Sequence, residues 1–211
     1  MDGVARTPKV QRSYLATIKT KVEDLDRMVS QLFLFSKMEL GDYPENSIRL
    51  RLDEKIEAAV LEAKEEYKEH GLQLITDLTP VTVTADPIQL ERVISNVMGN
   101  SLKYKEQEKG LLRISLIKNG ATCTLTFDDD GPGVPEEALP HLFEAFYRSD
   151  PARQNPQKGS GLGLAIVKSI ITHAGGSIQA KRSEFGGLKI EICLSCEEGS
   201  ESDGKNTDRG R

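Results

Sequence analysis

Apolar residues near the start of the chain fall at Leu15, Ile18, Val22, Leu25, Val29 and Leu32, in alternating three- and four-residue steps. That spacing is a heptad seam on a helix running to about Met38, with Thr7 as N-cap and Pro8 at the first helical position. A seam of this kind buries itself only against another helix. No comparable helix follows in the chain, so the pattern points to a helical dimer over internal packing. Gly41-Asp42-Tyr43-Pro44-Glu45-Asn46 then breaks the periodicity and reads as a linker.

From Ser47 the pattern changes to that of one mixed α/β domain. Ile48, Leu50 and Leu52 alternate as a strand, and 52–70 carries Ile56, Ala59, Val60, Ala63 and Tyr67 at helical spacing until Gly71. Short strands are expected at 72–77 and 81–85. Asp86-Pro87 opens a further helix with Leu90, Val93, Ile94, Val97, Met98 and Leu102 on one face. Two alternating runs, 112–117 and 122–127, flank Asn119-Gly120 and predict a hairpin. A short helix is expected over 136–146, an aperiodic polar stretch over 148–160, a helix over 162–173, and closing strands at 177–182 and 187–194. The tail from Glu197 is rich in Glu, Ser, Asp and Gly and reads as disordered. The expected organisation is thus 1–46 helix and linker, 47–196 catalytic or binding domain, and 197–211 polar tail.

Composition narrows the classes. A net charge of −5 gives no electrostatic case for sequence-independent nucleic-acid binding. No apolar run approaches the roughly 20 residues needed to cross a bilayer, and the N-terminus is not a signal peptide. The three cysteines, Cys123, Cys193 and Cys196, argue for a reducing compartment over a disulfide framework. Cys193 and Cys196 form one C-x-x-C, but a zinc site needs four ligands and no second pair stands at suitable spacing.

Three motifs carry chemistry. Asn96 and Asn100 lie four residues apart, hence on one helix face, with Lys103 and Tyr104 just beyond. An Asn carbonyl is a hard oxygen ligand suited to Mg²⁺, a lysine suits phosphate, and a tyrosine can cover a base. Second, the strand ending in Asp128-Asp129-Asp130 runs into Gly131-Pro132-Gly133, where glycines let the backbone turn and approach a ligand. Third, Gly159-Ser160-Gly161-Leu162-Gly163-Leu164 opens a helix, and a glycine turn at a helix start suits phosphate. A calcium loop over Thr126–Glu137 is disfavoured, since Thr holds the first ligand position and a strand, not a helix, precedes it.

In order and separation, N-x-x-x-N-x-x-K-Y, D-x-G-x-G, L-F-E-A-F-Y-R and G-S-G-L-G-L-A-I-V resemble the ATP-binding catalytic domain of sensor histidine kinases. The likeness covers roughly 47–195. The N-terminal segment, ending LFLFSKMELG, resembles the second helix of that family's dimerisation and phosphotransfer hairpin.

The resemblance implies a two-layer α/β sandwich, a mixed sheet with helices on one face, preceded by a long helix and binding ATP with Mg²⁺. It implies that Asn100 coordinates Mg²⁺, Asn96 supports the phosphate and metal region, Lys103 approaches the phosphates and Tyr104 lies against adenine. Asp129 would accept from the adenine amino group, with Gly131 and Gly133 shaping the pocket wall. Phe143, Phe146, Tyr147 and Arg148 match an aromatic motif anchoring a lid over 148–160, with Arg148 a γ-phosphate contact. Lys158, Gly159, Ser160, Gly161, Leu162, Gly163 and Leu164 would close over the triphosphate.

Members of the wider ATPase group that hydrolyse ATP place a glutamate general base where this chain has Asn96. An amide is a poor proton acceptor, so little hydrolysis is expected and the γ-phosphoryl group should pass to a histidine. The acceptor stretch of the family is absent, and Gly3 stands where its histidine would lie. His70, His141 and His173 are each expected to play an ordinary structural part. The resemblance therefore implies a catalytic piece cut from a longer protein, working in the cytoplasm beneath a membrane-anchored parent. Its expected partners are an acceptor histidine on a phosphotransfer hairpin, a response-regulator receiver domain and a second copy of the N-terminal helix. The alternatives are a serine kinase of the anti-sigma-factor type and a nucleotide-binding regulatory module without transfer. Within the aspartate run, strand alternation sets Asp129 apart, with Asp128 and Asp130 expected to be bystanders.

Overall fold

Thr7 and Pro8 start the first helix as their residue types dictate. The Thr7 side chain accepts from the Val10 N–H at 3.4 Å, and α1 runs Pro8–Glu39. The computed structural model describes residues 7–41, 46–149 and 160–197. The linker residues 42–45, the tail from 198 and most of the expected lid, 150–159, lie outside the described residues.

Each heptad residue of α1 remains exposed, from 48% at Leu32 to 64% at Leu15. The helix's C-terminal end packs into the core of the rest of the chain. Met38 is buried there, and Leu34 and Phe35 pack against the core.

After α1 come β1 (Ile48–Arg51), α2 (Leu52–Glu69), β2 (Leu72–Leu78), β3 (Thr82–Ala85) and α3 (Pro87–Tyr104). The hairpin strands are β4 (Gly110–Asn119) and β5 (Thr122–Asp129); then follow α4 (Gly163–His173), β6 (Ser177–Arg182) and β7 (Leu188–Ser195). Asp86 caps α3 as anticipated, its carboxylate accepting from Ile88 N–H at 2.8 Å and Gln89 N–H at 3.3 Å. The helix expected over 136–146 is shorter than its pattern suggested. It is a 3₁₀ segment, Glu136–His141, with Pro140 inside; a proline removes a backbone donor and obstructs an α-helix.

Five strands form one mixed sheet in the order β2-β4-β5-β7-β6, with β2 and β4 parallel and the other pairs antiparallel. A separate antiparallel pair, β1 with β3, sits beside it. The two-residue alternation of the sheet decides its faces. Leu112, Ile114 and Leu116 of β4, Leu125 and Phe127 of β5, and Ile190 and Ile192 of β7 are buried with the apolar faces of α2, α3 and α4. Burying one such side chain is worth about 1.5–3 kcal/mol. The opposite face carries Arg113, Ser115, Thr124, Lys189 and Glu191, so among the described residues α2, α3 and α4 pack on the apolar face.

Alternation also completes the reading of the aspartate run. Asp128 faces away from Asp129, between Arg113 and Lys189 in the ladder, and outside the cavity it has a structural part. It is 3% exposed and its Oδ2 lies 3.7 Å from Lys189 Nζ. Asp130 closes the strand end: its Oδ1 accepts from Leu111 N–H at 2.7 Å while its own N–H donates to Leu111 O at 3.2 Å. Opposed strands thus give each carboxylate a separate set of partners, which the linear run could not show.

The three histidine rings bond locally, His70 to Glu66 O, His141 to Glu144 and His173 to Ser169 O. Burial pushes the Cys123 thiol up to about 12, with Cys196 and Cys193 adding to the rise, so it stays protonated. Among the described residues no cluster of three or more His, Cys, Asp or Glu is arranged to hold a metal.

Asp53 joins α2 to the turn before β3, accepting from Val81 N–H at 3.0 Å and Arg51 Nε at 2.9 Å. Burial raises its pKa, but the Arg51 and Val81 hydrogen bonds outweigh it and hold the carboxyl below its ordinary value. A depressed carboxylate stabilises the fold above its unfolded pKa and loses that contribution as pH falls through the folded value. Asp53→Asn is expected to destabilise by about 1–2 kcal/mol at neutral pH. Urea midpoints measured downward through the carboxylate range should show the gap to the parent closing.

Candidate functional site

The pocket forms where α3, the end of β5, the start of α4 and one face of α1 converge, enclosing about 670 Å³. Among its lining residues are Asn96, Asn100, Lys103 and Tyr104 of α3, Asp129, Gly131 and Gly133 after β5, and Tyr147 and Arg148. Ser160, Gly161, Gly163 and Leu164 line the side at α4. Motifs up to 68 residues apart in the chain, from Asn96 to Leu164, thereby share one cavity.

Asp129 occupies its floor. Its Oδ2 accepts from Ser101 Oγ at 2.9 Å, and its Oδ1 from Leu188 N–H at 2.9 Å and Gly131 N–H at 3.1 Å. Burial nevertheless raises its pKa, ahead of the lowering effect of these hydrogen bonds. Three donors fix the plane of this carboxylate and leave a lone-pair direction for one further donor. The arrangement depends on Gly187, since a Cβ there would overlap Asp129 Oδ1 and O and lie 2.5 Å from Gly131 N.

On α3, helical spacing sets both carboxamides toward the cavity. Asn96 Nδ2 donates to Arg92 O at 2.8 Å, and its Oδ1 approaches α4 so closely that a Cβ at Gly163 would meet it at 3.0 Å. Lys103 Nζ stands 5.2 Å from the centre of the Tyr104 ring. Burial raises the Tyr104 phenol, the Arg148 charge opposing it in part, so the ring stays neutral. Asn96 and Asn100 supply neutral oxygens only. Such a donor set fits a magnesium ion that arrives with phosphates and keeps its waters, not one held by the protein alone.

At the other wall, the turn into α4 requires Gly161. Its φ is +76°, and a Cβ would fall 2.9 Å from the Phe146 carbonyl carbon. Phe146 itself has φ +64° and donates its N–H to Gly161 O at 3.1 Å. A non-glycine residue in the left-handed region is held there by its surroundings.

Three residues singled out in the sequence do not line the cavity. Phe143 is a buried anchor at 8% exposure, Phe146 points outward at 60%, and Leu162 is buried at 1%. The Leu162 side chain therefore belongs to the core, and only its backbone faces the turn. Lys158 and Gly159 lie outside the described residues. Conversely, Ser101, Phe127, Leu188 and Ile190 line the pocket without having been marked, as do Lys21, Leu25, Met28 and Gln31 of α1. Ser101 follows directly on Asn100, but a helical serine carries no local sign of the carboxylate it serves; of the α1 residues only Leu25 belongs to the seam, and Lys21, Met28 and Gln31 carried no local signal.

The comparisons bear on this geometry. Residues 85–198 match the family described as histidine kinase-, DNA gyrase B-, and HSP90-like ATPase. The signal transduction histidine-protein kinase BaeS of Escherichia coli is 34% identical over 198 residues, spanning 93% of this chain and 41% of the relative. Sensor histidine kinase CpxA of Escherichia coli is 31% identical over 183 residues, 85% of this chain and 39% of the relative. The chain thus spans less than half the length of these relatives. Among solved structures, the mycobacterial sensor histidine kinase MprB superposes with a TM-score of 0.64 at 28% identity, covering 72% of this chain and 100% of that one. Histidine kinase AdeS of Acinetobacter baumannii, at 24% identity and TM-score 0.71 over 91% of this chain and 86% of that one, shares the fold. The fold, the pocket and the family match agree: the chain belongs to the histidine kinase-, DNA gyrase B- and HSP90-like ATPase family, and carries an ATP-binding catalytic domain of the sensor-histidine-kinase kind.

Proposed function

We propose that this chain binds Mg-ATP in the α3–α4 pocket and passes the γ-phosphoryl group to a histidine outside its own sequence, for relay to a response-regulator aspartate. The observation that carries the reading is Asp129, a half-buried carboxylate oriented by three donors and open to one more. That is the acceptor an adenine amino group requires. Tyr104 would lie against the base, and Phe127, Leu188 and Ile190 supply apolar contact. Asn100 would take one position on Mg²⁺, which shields phosphate charge when bound. Asn96, Lys103 and Arg148 would orient and neutralise the triphosphate, and the first-turn N–H groups of α4 add donors. With an amide at position 96, no carboxylate stands there to activate water. The reacting bond change is attack of an imidazole nitrogen on the γ-phosphorus, with the β-phosphate oxygen leaving as ADP.

The exposed α1 seam fits the remaining partners: a helical hairpin presenting the histidine, and a second copy of the same helix. Among the described residues no helix is long and apolar enough to cross a membrane. Cytoplasmic action under a membrane-anchored parent is part of the proposal.

The test supplies labelled Mg-ATP and a separate acceptor hairpin. Acid-labile, base-stable label on the hairpin histidine is the expected result, with little free phosphate released. Acid-stable phosphoserine would identify a serine kinase instead. Tight ATP binding without transfer to any hairpin would leave a regulatory nucleotide module.

A further inference from the structure

One contact ties α1 to the phosphate side of the pocket. Ser160 Oγ donates to Gln31 Oε1 at 2.8 Å, across 129 residues of chain. The same Oγ accepts from Leu162 N–H at 3.2 Å. Gln31 shares its helix face with Lys21, Leu25 and Met28, all of which line the cavity, so the contact is part of a wall.

The relay engages two of the groups that this corner would offer a phosphate. The Ser160 hydroxyl proton points to Gln31, and the Leu162 N–H points to Ser160. Leu162 precedes α4 without a side-chain cap of its own. A phosphate oxygen seated at the α4 terminus would compete for one or both donors. The nearby backbone has little room to supply an alternative path, because Gly161 is wedged against Phe146.

We propose that Gln31 is a positioning residue that acts through Ser160: it holds the glycine turn in an arrangement which the triphosphate must undo, so nucleotide and α1 compete for one turn. The inference rests on the nucleotide reading of the pocket and adds a regulation to it. By linkage, whatever pulls α1 from the turn strengthens triphosphate binding, and triphosphate loosens α1 by the same factor.

The test uses the full chain with Mg²⁺ and a non-hydrolysable ATP analogue, comparing Gln31→Leu and Gln31→Glu with the parent, and adenosine as a ligand without phosphate. Leucine cannot accept from Ser160, whereas glutamate can. One net hydrogen bond corresponds to about a 2–12-fold change in affinity. Gln31→Leu should bind the analogue tighter within that range, Gln31→Glu should bind it no tighter than the parent, and adenosine affinity should not move. In the parent, adding the analogue should speed amide exchange in α1 around Gln31. Gln31 is half-exposed, so neither variant threatens folding, and matching thermal melts would check this. Unchanged or weaker analogue binding by Gln31→Leu, an equal gain for adenosine, or unaltered exchange would overturn the proposal. A parent chain that fails to bind the analogue at all would overturn the nucleotide reading itself, and the inference with it.

Discussion

Asp129→Asn is expected to weaken Mg-ATP-analogue binding about 10–100-fold, the worth of one hydrogen bond to a charged group, while leaving the fold intact. The asymmetry follows from the donors around it. Asparagine keeps an oxygen for the Gly131 and Leu188 N–H groups, and its amide can donate to Ser101, whose hydroxyl accepts equally well. What disappears is the carboxylate face proposed to receive the adenine amino group. Inorganic triphosphate, lacking a base, should bind parent and variant alike.

Stability should move the other way. Because burial raises the Asp129 pKa, the folded chain holds this proton more tightly than the unfolded chain. Its contribution is therefore most favourable below the unfolded pKa, declines as pH rises to the folded value, and is constant above. At neutral pH the charged group is a net cost, and the variant should melt no lower than the parent. Titration calorimetry with the analogue and with triphosphate, beside melts at neutral pH, checks both halves. Equal analogue affinity in parent and variant would refute the adenine contact.

Gly187→Ala is expected to destroy the same site from behind. Its Cβ would overlap the Asp129 carboxylate and carbonyl, and the carboxylate cannot retreat without breaking its bonds to Leu188 and Gly131. Overpacking of this kind costs about 1–3 kcal/mol. Analogue affinity should fall at least as far as in Asp129→Asn, now together with the melting temperature. Gly99→Ala is the control: it lies on α3 with open space at its Cβ, and the substitution should stabilise by up to about 1 kcal/mol. Identical behaviour of the two alanine variants would show that the close packing at Gly187 does not matter.

Gly187 also marks the limit of sequence reading in this chain. Asp129 was legible because a strand pattern ended in D-x-G-x-G, and the neighbours of a strand's end follow from local chemistry. Gly186-Gly187 sits 58 residues further on and reads as an ordinary turn. Its importance arises only when β7 is laid antiparallel to β5, with Asp128 opposite Lys189. Ser101 went unread for a related reason, since a serine on a helix looks like any other until the carboxylate it serves is folded beneath it. Leu162 divides between the two: its motif places its backbone N–H in the turn, while its side chain fills the core. Asp128 and Asp130 stand outside the cavity as the strand alternation indicated, but their structural partners, Lys189 and Leu111, come from other strands and were not legible.

The sequence by itself determined the elements and their chemistry. Periods of 3.6 and 2, a threonine and an aspartate cap, an Asn-Gly turn and four ordered motifs are local properties, written in neighbouring residues. Tertiary structure alone decided which motif faces which. It set the order β2-β4-β5-β7-β6, closed a glycine against Asp129, and laid one face of α1 along the phosphate turn with Gln31 on Ser160. The physical reason is range: capping and amphipathic periodicity act within a few residues, whereas a hydrogen bond across 129 residues exists only after packing has brought its ends together.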